Sequence, residues 1–117
     1  MPWSVAYYRN AQNPSEEWVY WTDFYTQSTR RSHPGSFINE TLPVAASNLI
    51  VDDRPSKKKL YYFDQGVLTS SNLDGTNAVQ LSGTAEIGGL ALNPGTNSLY
   101  IVGDTTPHPG TPTYWVK

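Results

Sequence analysis

The segment Trp18-Val19-Tyr20-Trp21-Thr22-Asp23 introduces a pattern that occurs three times in the chain. The second copy is Leu60-Tyr61-Tyr62-Phe63-Asp64, and the third is Leu99-Tyr100-Ile101-Val102-Gly103-Asp104. Tyr61 follows Tyr20 by 41 residues, and Tyr100 follows Tyr61 by 39. Each copy is rich in aromatic and β-branched residues and ends on an aspartate, which predicts a strand that runs into a turn.

Further strand patterns flank each copy in the same order. An apolar run precedes the copies at 4–8, 48–52 and 89–93, a third strand follows at 26–32, 66–72 and 113–117, and fourth strands lie at 37–42 and 79–82. A repeat of about 40 residues with four short strands is typical of a β-propeller blade. We therefore predict an all-β fold in a single propeller-like domain, 1–117, made of four-stranded antiparallel blades. Blade 1 is expected at about 4–42, blade 2 at about 48–82, and an incomplete blade 3 at about 89–117.

Polar segments between the strand patterns predict the connections. Asp74-Gly75 predicts a tight hairpin with Gly75 at positive φ, because glycine adopts the left-handed geometry without steric cost. The polar stretches 9–17 and 53–59 predict the hairpins before the second strands, with the lysine run 57–59 at a solvated tip. Trp21 lies within a second strand, and we expect it to be buried between blades.

Composition excludes several classes of function. The net charge of −2 gives no electrostatic basis for binding nucleic acid or an anionic membrane. The chain has no cysteine, so thiol chemistry and cysteine-bound zinc do not apply. As written, its N-terminus predicts a cytoplasmic protein. It would be extracellular if a leader has been removed, and only then would the sequon Asn39-Glu40-Thr41 accept a glycan.

The segment Tyr20-Trp21-Thr22-Asp23 resembles the YWTD-type β-propellers of the low-density lipoprotein receptor family. The second repeat follows the order of that family most closely, with its LYYFD strand, its turn Asn72-Leu73-Asp74-Gly75-Thr76-Asn77, and the following strand 89–92. The resemblance implies a six-bladed ring that serves as a protein-binding or scaffold module and not as a catalyst. The chain departs from the family in having half the blades and no flanking cysteine-rich modules.

An open set of three blades predicts association. Apolar flanks near 5–8 and near 90–99 would remain uncovered, and equivalent surfaces meet at every blade boundary of a complete ring. We expect the chain to complete a six-bladed ring as a homodimer, or together with the remainder of a larger parent propeller. Two alternatives remain open: a carbohydrate-binding, lectin-like propeller, and a fragment of a calcium-dependent propeller hydrolase.

The aspartates that end the repeated strands have two interpretations. Asp23, Asp64 and Asp104 would either surround a channel and bind a divalent cation, or accept backbone N–H groups in their own turns. We favour the turn interpretation, because a residue that recurs with the repeat usually serves the repeat, and we expect no metal, cofactor or catalytic residue. The expected structural residues are Tyr20, Trp21, Asp23, Tyr61, Asp64, Asp74, Gly75, Tyr100 and Asp104.

Aromatic residues concentrate in the first quarter of the chain. Tryptophan and tyrosine often anchor sugars and peptides, because they combine flat apolar area with a polar tip. Phe24 and Tyr25 follow the end of a strand, where exposure is expected, and Trp18 begins the same strand. These three residues are therefore the candidate ligand contacts.

Overall fold

The computed structural model describes residues 2–23, 26, 28–36, 38–65, 67–84, 89–96, 98–102 and 112–116. All regular elements within these residues are strands, so the all-β prediction is confirmed. The eleven strands are β1 Pro2–Asn10, β2 Asn13–Asp23, β3 Thr29–Ser32, β4 Asn39–Thr41, β5 Ala46–Asp52, β6 Lys59–Asp64, β7 Val67–Asn72, β8 Val79–Thr84, β9 Gly89–Asn93, β10 Ser98–Val102 and β11 Pro112–Val116. The described part of the chain contains no helix that is long and apolar enough to cross a membrane.

The strands form three antiparallel meanders. Sheet 1 has the order β1-β2-β3-β4, sheet 2 has the order β5-β6-β7-β8, and sheet 3 pairs β9, β10 and β11 in chain order. Each repeated aromatic segment is therefore the second strand of its sheet, as the spacing predicts.

The sheets stack in chain order through two hydrophobic clusters. The first cluster lies between sheets 1 and 2 and contains Tyr8 and Tyr20 from one side and Leu60 and Tyr62 from the other. The second lies between sheets 2 and 3. Its buried members are Tyr61, Phe63, Leu68 and Leu99. Sheet 2 is consequently covered on both faces by its neighbours.

Strand β6 shows how the sequence directs this stacking. Successive side chains of a strand point to opposite faces, so a strand at the centre of a stack must be apolar on both. Leu60 and Tyr62 face sheet 1, whereas Tyr61 and Phe63 face sheet 3. All four are buried, and full burial of such a side chain stabilises a fold by about 1.5–3 kcal/mol.

The polar stretch 9–17 was predicted to be a hairpin connection, and this prediction is wrong for most of its length. Strands β1 and β2 continue to Asn10 and Asn13, because their polar residues pair across the strands. Glu16 accepts hydrogen bonds from the Tyr8 hydroxyl at 3.2 Å and from Asn10 Nδ2 at 3.0 Å. The Asn10 side chain also accepts the backbone N–H of Gln12 at 2.9 Å, which closes the turn locally.

The turn between β7 and β8 has the geometry that the sequence predicts. Gly75 has φ +84° and donates its N–H to the Asn72 carbonyl at 2.9 Å. The turn also packs against the chain that leaves sheet 1, because a Cβ at Gly75 would lie 2.9 Å from Pro43 Cδ. The corresponding glycine of sheet 1, Gly35, has φ +83° but no heavy atom within 4 Å of its Cβ position.

Candidate binding surfaces

We call the face of a sheet that points to the preceding sheet its leading face, and the opposite one its trailing face. On the leading face of sheet 1, the strand register places Val5 opposite Trp21 and Tyr7 opposite Val19. Val5 is 66% exposed and Tyr7 is 52% exposed. Neither hydrophobic cluster of the described residues includes these four side chains. They form an apolar patch on an uncovered sheet face.

Trp21 corrects one expectation from the sequence. It occupies the position of Tyr62 in the repeat, but Tyr62 is 0% exposed whereas Trp21 is only partly buried. Sheet 1 covers the leading face on which Tyr62 lies. No sheet of the described chain precedes sheet 1, so the same position remains accessible there.

The trailing face of sheet 3 is the second face that no sheet of the described chain covers. Tyr20, Tyr61 and Tyr100 occupy one position in successive sheets. The first two are buried by the sheet that follows them, whereas Tyr100 is 38% exposed. Ala91 pairs with Tyr100 and is also exposed.

The apolar flanks predicted from the sequence are thereby refined. The region near 90–99 was expected to be uncovered, but Leu90, Leu92 and Leu99 pack against sheet 2. Within the first flank, Tyr8 also points inward and is buried. The uncovered side chains are the alternate ones, because each strand presents every second residue to its neighbour.

Polar contacts reinforce both sheet boundaries. The carbonyl oxygen of Leu73 accepts hydrogen bonds from the Tyr20 hydroxyl at 2.7 Å and from an Arg31 terminal nitrogen at 3.2 Å. At the next boundary, Arg54 donates to the Pro94 carbonyl at 3.2 Å and pairs with the fully buried Asp52 at 2.6 Å. Each boundary thus has an arginine that reaches a turn of the following sheet.

A polar groove of about 490 Å³ lies at the end of the boundary between sheets 1 and 2. Glu16, Trp18 and Arg31 come from sheet 1. The facing wall consists of Lys57, Lys58, Asn72, Leu73 and Asp74. The groove therefore combines carboxylates, cationic groups and an amide, and each kind of group is able to hydrogen-bond to a polar ligand.

Trp18 is the predicted ligand contact that the structure places in this groove. The Arg31 guanidinium stacks on its ring at 3.9 Å from the centroid, and the edge of the ring meets His33 at a centroid distance of 5.6 Å. Arg31 is held in this position by Glu40, at 2.6 Å. One face of the indole is thus occupied by a side chain of the protein itself, so a sugar ring could not stack there.

Charge in the groove is mixed. The hydrogen bond from Asn10 lowers the pKa of Glu16, and the nearby Lys58 ammonium acts in the same direction. A hydrogen bond from the Thr76 hydroxyl lowers the pKa of Asp74. Both carboxylates are therefore ionised near neutral pH beside the lysines and Arg31. Lys58 has φ +51°, a conformation that few non-glycine residues adopt.

Two of the turn aspartates, Asp23 and Asp74, accept hydrogen bonds within their own turns. Asp23 Oδ1 accepts the backbone N–H of Thr26 at 3.4 Å, and Asp74 Oδ1 accepts that of Thr76 at 3.0 Å. Asp64 ends β6 and is partly exposed. Among the side chains that the structure describes, no three His, Cys, Asp or Glu residues lie close enough to hold a metal ion. Asp104 lies outside the described residues.

The candidate ligand contacts Phe24 and Tyr25 also lie outside the described residues. Of the residues that line the groove, sequence reasoning selected only Trp18 as a ligand contact and passed over Arg31. The repeat itself contained a signal for Arg31, because the third strand of sheet 2 has serines where the third strand of sheet 1 has Arg30 and Arg31. A charged residue that interrupts a repeat is not required by the repeat itself.

No protein-family model matches the chain, and no curated protein is significantly similar to it. The resemblance to YWTD-type propellers therefore rests on the repeated motif and on its spacing.

Proposed function

We propose that the chain is a non-enzymatic binding and scaffold module, built from YWTD-like propeller blades that complete a ring by association. Each sheet is one blade, and the module binds by stacking a blade-type sheet on an uncovered face. The observation that carries this proposal is the pair Tyr62 and Trp21, which share a repeat position and differ in burial. An apolar face that has a partner at one boundary and none at the next is suited to recruit one.

A tandem fusion of two copies tests this function without depending on association. Six sheets in one chain should close: sheet 3 of the first copy would cover Trp21 of the second by sequential stacking, and closure would bring sheet 3 of the second copy onto Trp21 of the first. Labelling with 5-fluorotryptophan gives each tryptophan its own ¹⁹F resonance, and Trp→Phe variants assign them. We expect the two Trp21 resonances of the closed fusion to lose their solvent isotope shift. If both retain the shift of the single chain, blade stacking is not the mode of binding.

Carbohydrate binding is a second candidate function, and the polar groove favours it. Glu16, Asn72 and Asp74 would accept hydrogen bonds from sugar hydroxyls, and Lys57 and Lys58 would donate them. A glycan array tests this candidate. Signals that are lost in the Lys57→Ala/Lys58→Ala variant would place a glycan in the groove, whereas a blank array would leave blade stacking as the function.

Calcium distinguishes the proposed module from a propeller hydrolase. A resident metal that binds only the folded state would raise the melting temperature, and the rise would grow with the logarithm of the metal concentration. We expect no shift in Tm when calcium replaces EDTA. A large upward shift would favour the hydrolase.

A further inference from the structure

We propose that the partner of the uncovered faces is a second copy of this chain, with the leading face of sheet 1 of one copy against the trailing face of sheet 3 of the other. The inference rests on the proposed function and names its partner. It follows from the repeat, because both faces that would meet are present in every chain. In each, the side chains at the centre occupy positions that are buried at the internal boundaries.

The internal boundary between sheets 1 and 2 provides the template. There Tyr20 on a trailing face and Tyr62 on a leading face belong to one buried cluster. Between two copies the equivalent residues are Tyr100 and Trp21, both aromatic and both accessible. The contact would repeat an arrangement that the chain already forms, and it would bury large aromatic area.

A single chain cannot make this contact with itself. Sheet 2 lies between sheets 1 and 3 and packs on both of them, so the leading face of sheet 1 does not meet the trailing face of sheet 3 within this stack. Among the residues that the structure describes, no sheet covers either face. Because the two faces differ, the contact is heterologous, and two copies form two such contacts when the rotation closes.

The two faces also match in chemical composition. The leading face carries Val5, Tyr7 and Trp21 at its centre, with the Tyr7 hydroxyl bonded to Glu17 at the rim. The trailing face presents Tyr100 beside the small side chain of Ala91. An apolar centre with a polar rim is the usual composition of a specific interface, and a small residue beside an aromatic ring leaves room for the opposing indole.

Complementation between two variants tests the heterologous contact. Val5→Asp places a charge on the leading face, and Ala91→Asp places one on the trailing face, each at an exposed position. Val79→Asp is the control, since Val79 is 55% exposed and lies on neither uncovered face. Native mass spectrometry should show that each face variant raises the dissociation constant of the pair at least about tenfold, which corresponds to about 1.4 kcal/mol. The control should associate like the wild type.

An equimolar mixture of the two face variants should then restore a heterodimer, because one undamaged leading face meets one undamaged trailing face. If the Ala91→Asp variant alone remains fully dimeric, leading faces pair with each other and the inference is wrong. Circular dichroism checks folding, and Tyr7→Ser with Tyr100→Ser carries the same test if an aspartate variant does not fold. If the wild type is monomeric but its tandem fusion closes, the inference that a second copy is the partner is wrong and the proposed function stands. That result would favour the remainder of a longer parent chain as the partner. Failure of the fusion to close would overturn the proposed function as well.

Discussion

The Tyr20 hydroxyl of sheet 1 donates a 2.7 Å hydrogen bond to the carbonyl oxygen of Leu73 in a turn of sheet 2. The bond joins two residues that are 53 positions apart, so it exists only when the sheets are stacked. Of the other fully buried tyrosines in the first hydrophobic cluster, Tyr62 forms no hydrogen bond through its hydroxyl to any described residue. The two tyrosines therefore separate the contribution of a buried hydrogen bond from that of a buried ring.

We expect Tyr20→Phe to lower the free energy of unfolding by about 1 kcal/mol, the net value of a typical buried hydrogen bond. Tyr62→Phe should be neutral or slightly stabilising, because it removes a buried hydroxyl that has no acceptor. Urea denaturation measures both. An equal loss in the two variants would contradict the assignment of the Leu73 contact.

The two glycines at positive φ form a second matched pair. Gly35→Ala should cost about 1 kcal/mol, since only the backbone conformation is strained. Gly75→Ala should cost more, because its Cβ would also overlap Pro43 at the boundary between sheets. A Gly75→Ala variant as stable as Gly35→Ala would show that the turn does not pack against Pro43.

Burial raises the pKa of Tyr8 to about 12, above the value of 10.0 that applies to the unfolded chain. The protonated phenol is thus favoured in the folded state. Its contribution to stability is complete below pH 10 and is lost as the pH rises toward 12. We expect unfolding midpoints in urea to fall over this interval, and to fall less steeply in Tyr8→Phe. An identical pH dependence in both proteins would contradict the burial of Tyr8.

Trp21→Ala should lower the stability of the dilute, unassociated chain by about 2 kcal/mol, below the roughly 3–5 kcal/mol typical of a fully buried aromatic. Tyr62→Ala, at the equivalent covered position, should reach that larger value. Chemical denaturation at nanomolar chain concentration makes the comparison. The reverse order would mean that the leading face of sheet 1 is already covered within the chain.

Much of the fold could be predicted from local signals. The aromatic strands at 18–23, 60–64 and 99–102 and the turn at Gly75 follow from residue type and spacing, because strand alternation and glycine conformation are properties of short segments. The continuation of β1 and β2 to Asn10 and Asn13 was missed. Polar residues look like a loop in sequence, and cross-strand bonds such as those to Glu16 form only after pairing.

The candidate surfaces were predictable only in outline. Alternation indicates that Trp21 points away from Tyr20, but no local signal states whether a neighbouring sheet covers it. The groove was harder still to predict from the sequence, because Arg31 and Lys58 belong to different sheets and meet only when the sheets stack. Contact between repeats is a property of the tertiary structure. Only the boundaries inside the chain show how an outer face could be covered.

The mass of the wild-type protein in solution tests the central claim most directly. Sedimentation equilibrium at micromolar concentration should give twice the chain mass of 13.0 kDa, because each copy covers the two uncovered faces of the other. The distribution should end at the dimer, since a closed pair leaves no face open for a third copy. A single species of 13.0 kDa, or a series of masses that grows with concentration, would contradict the closed pair.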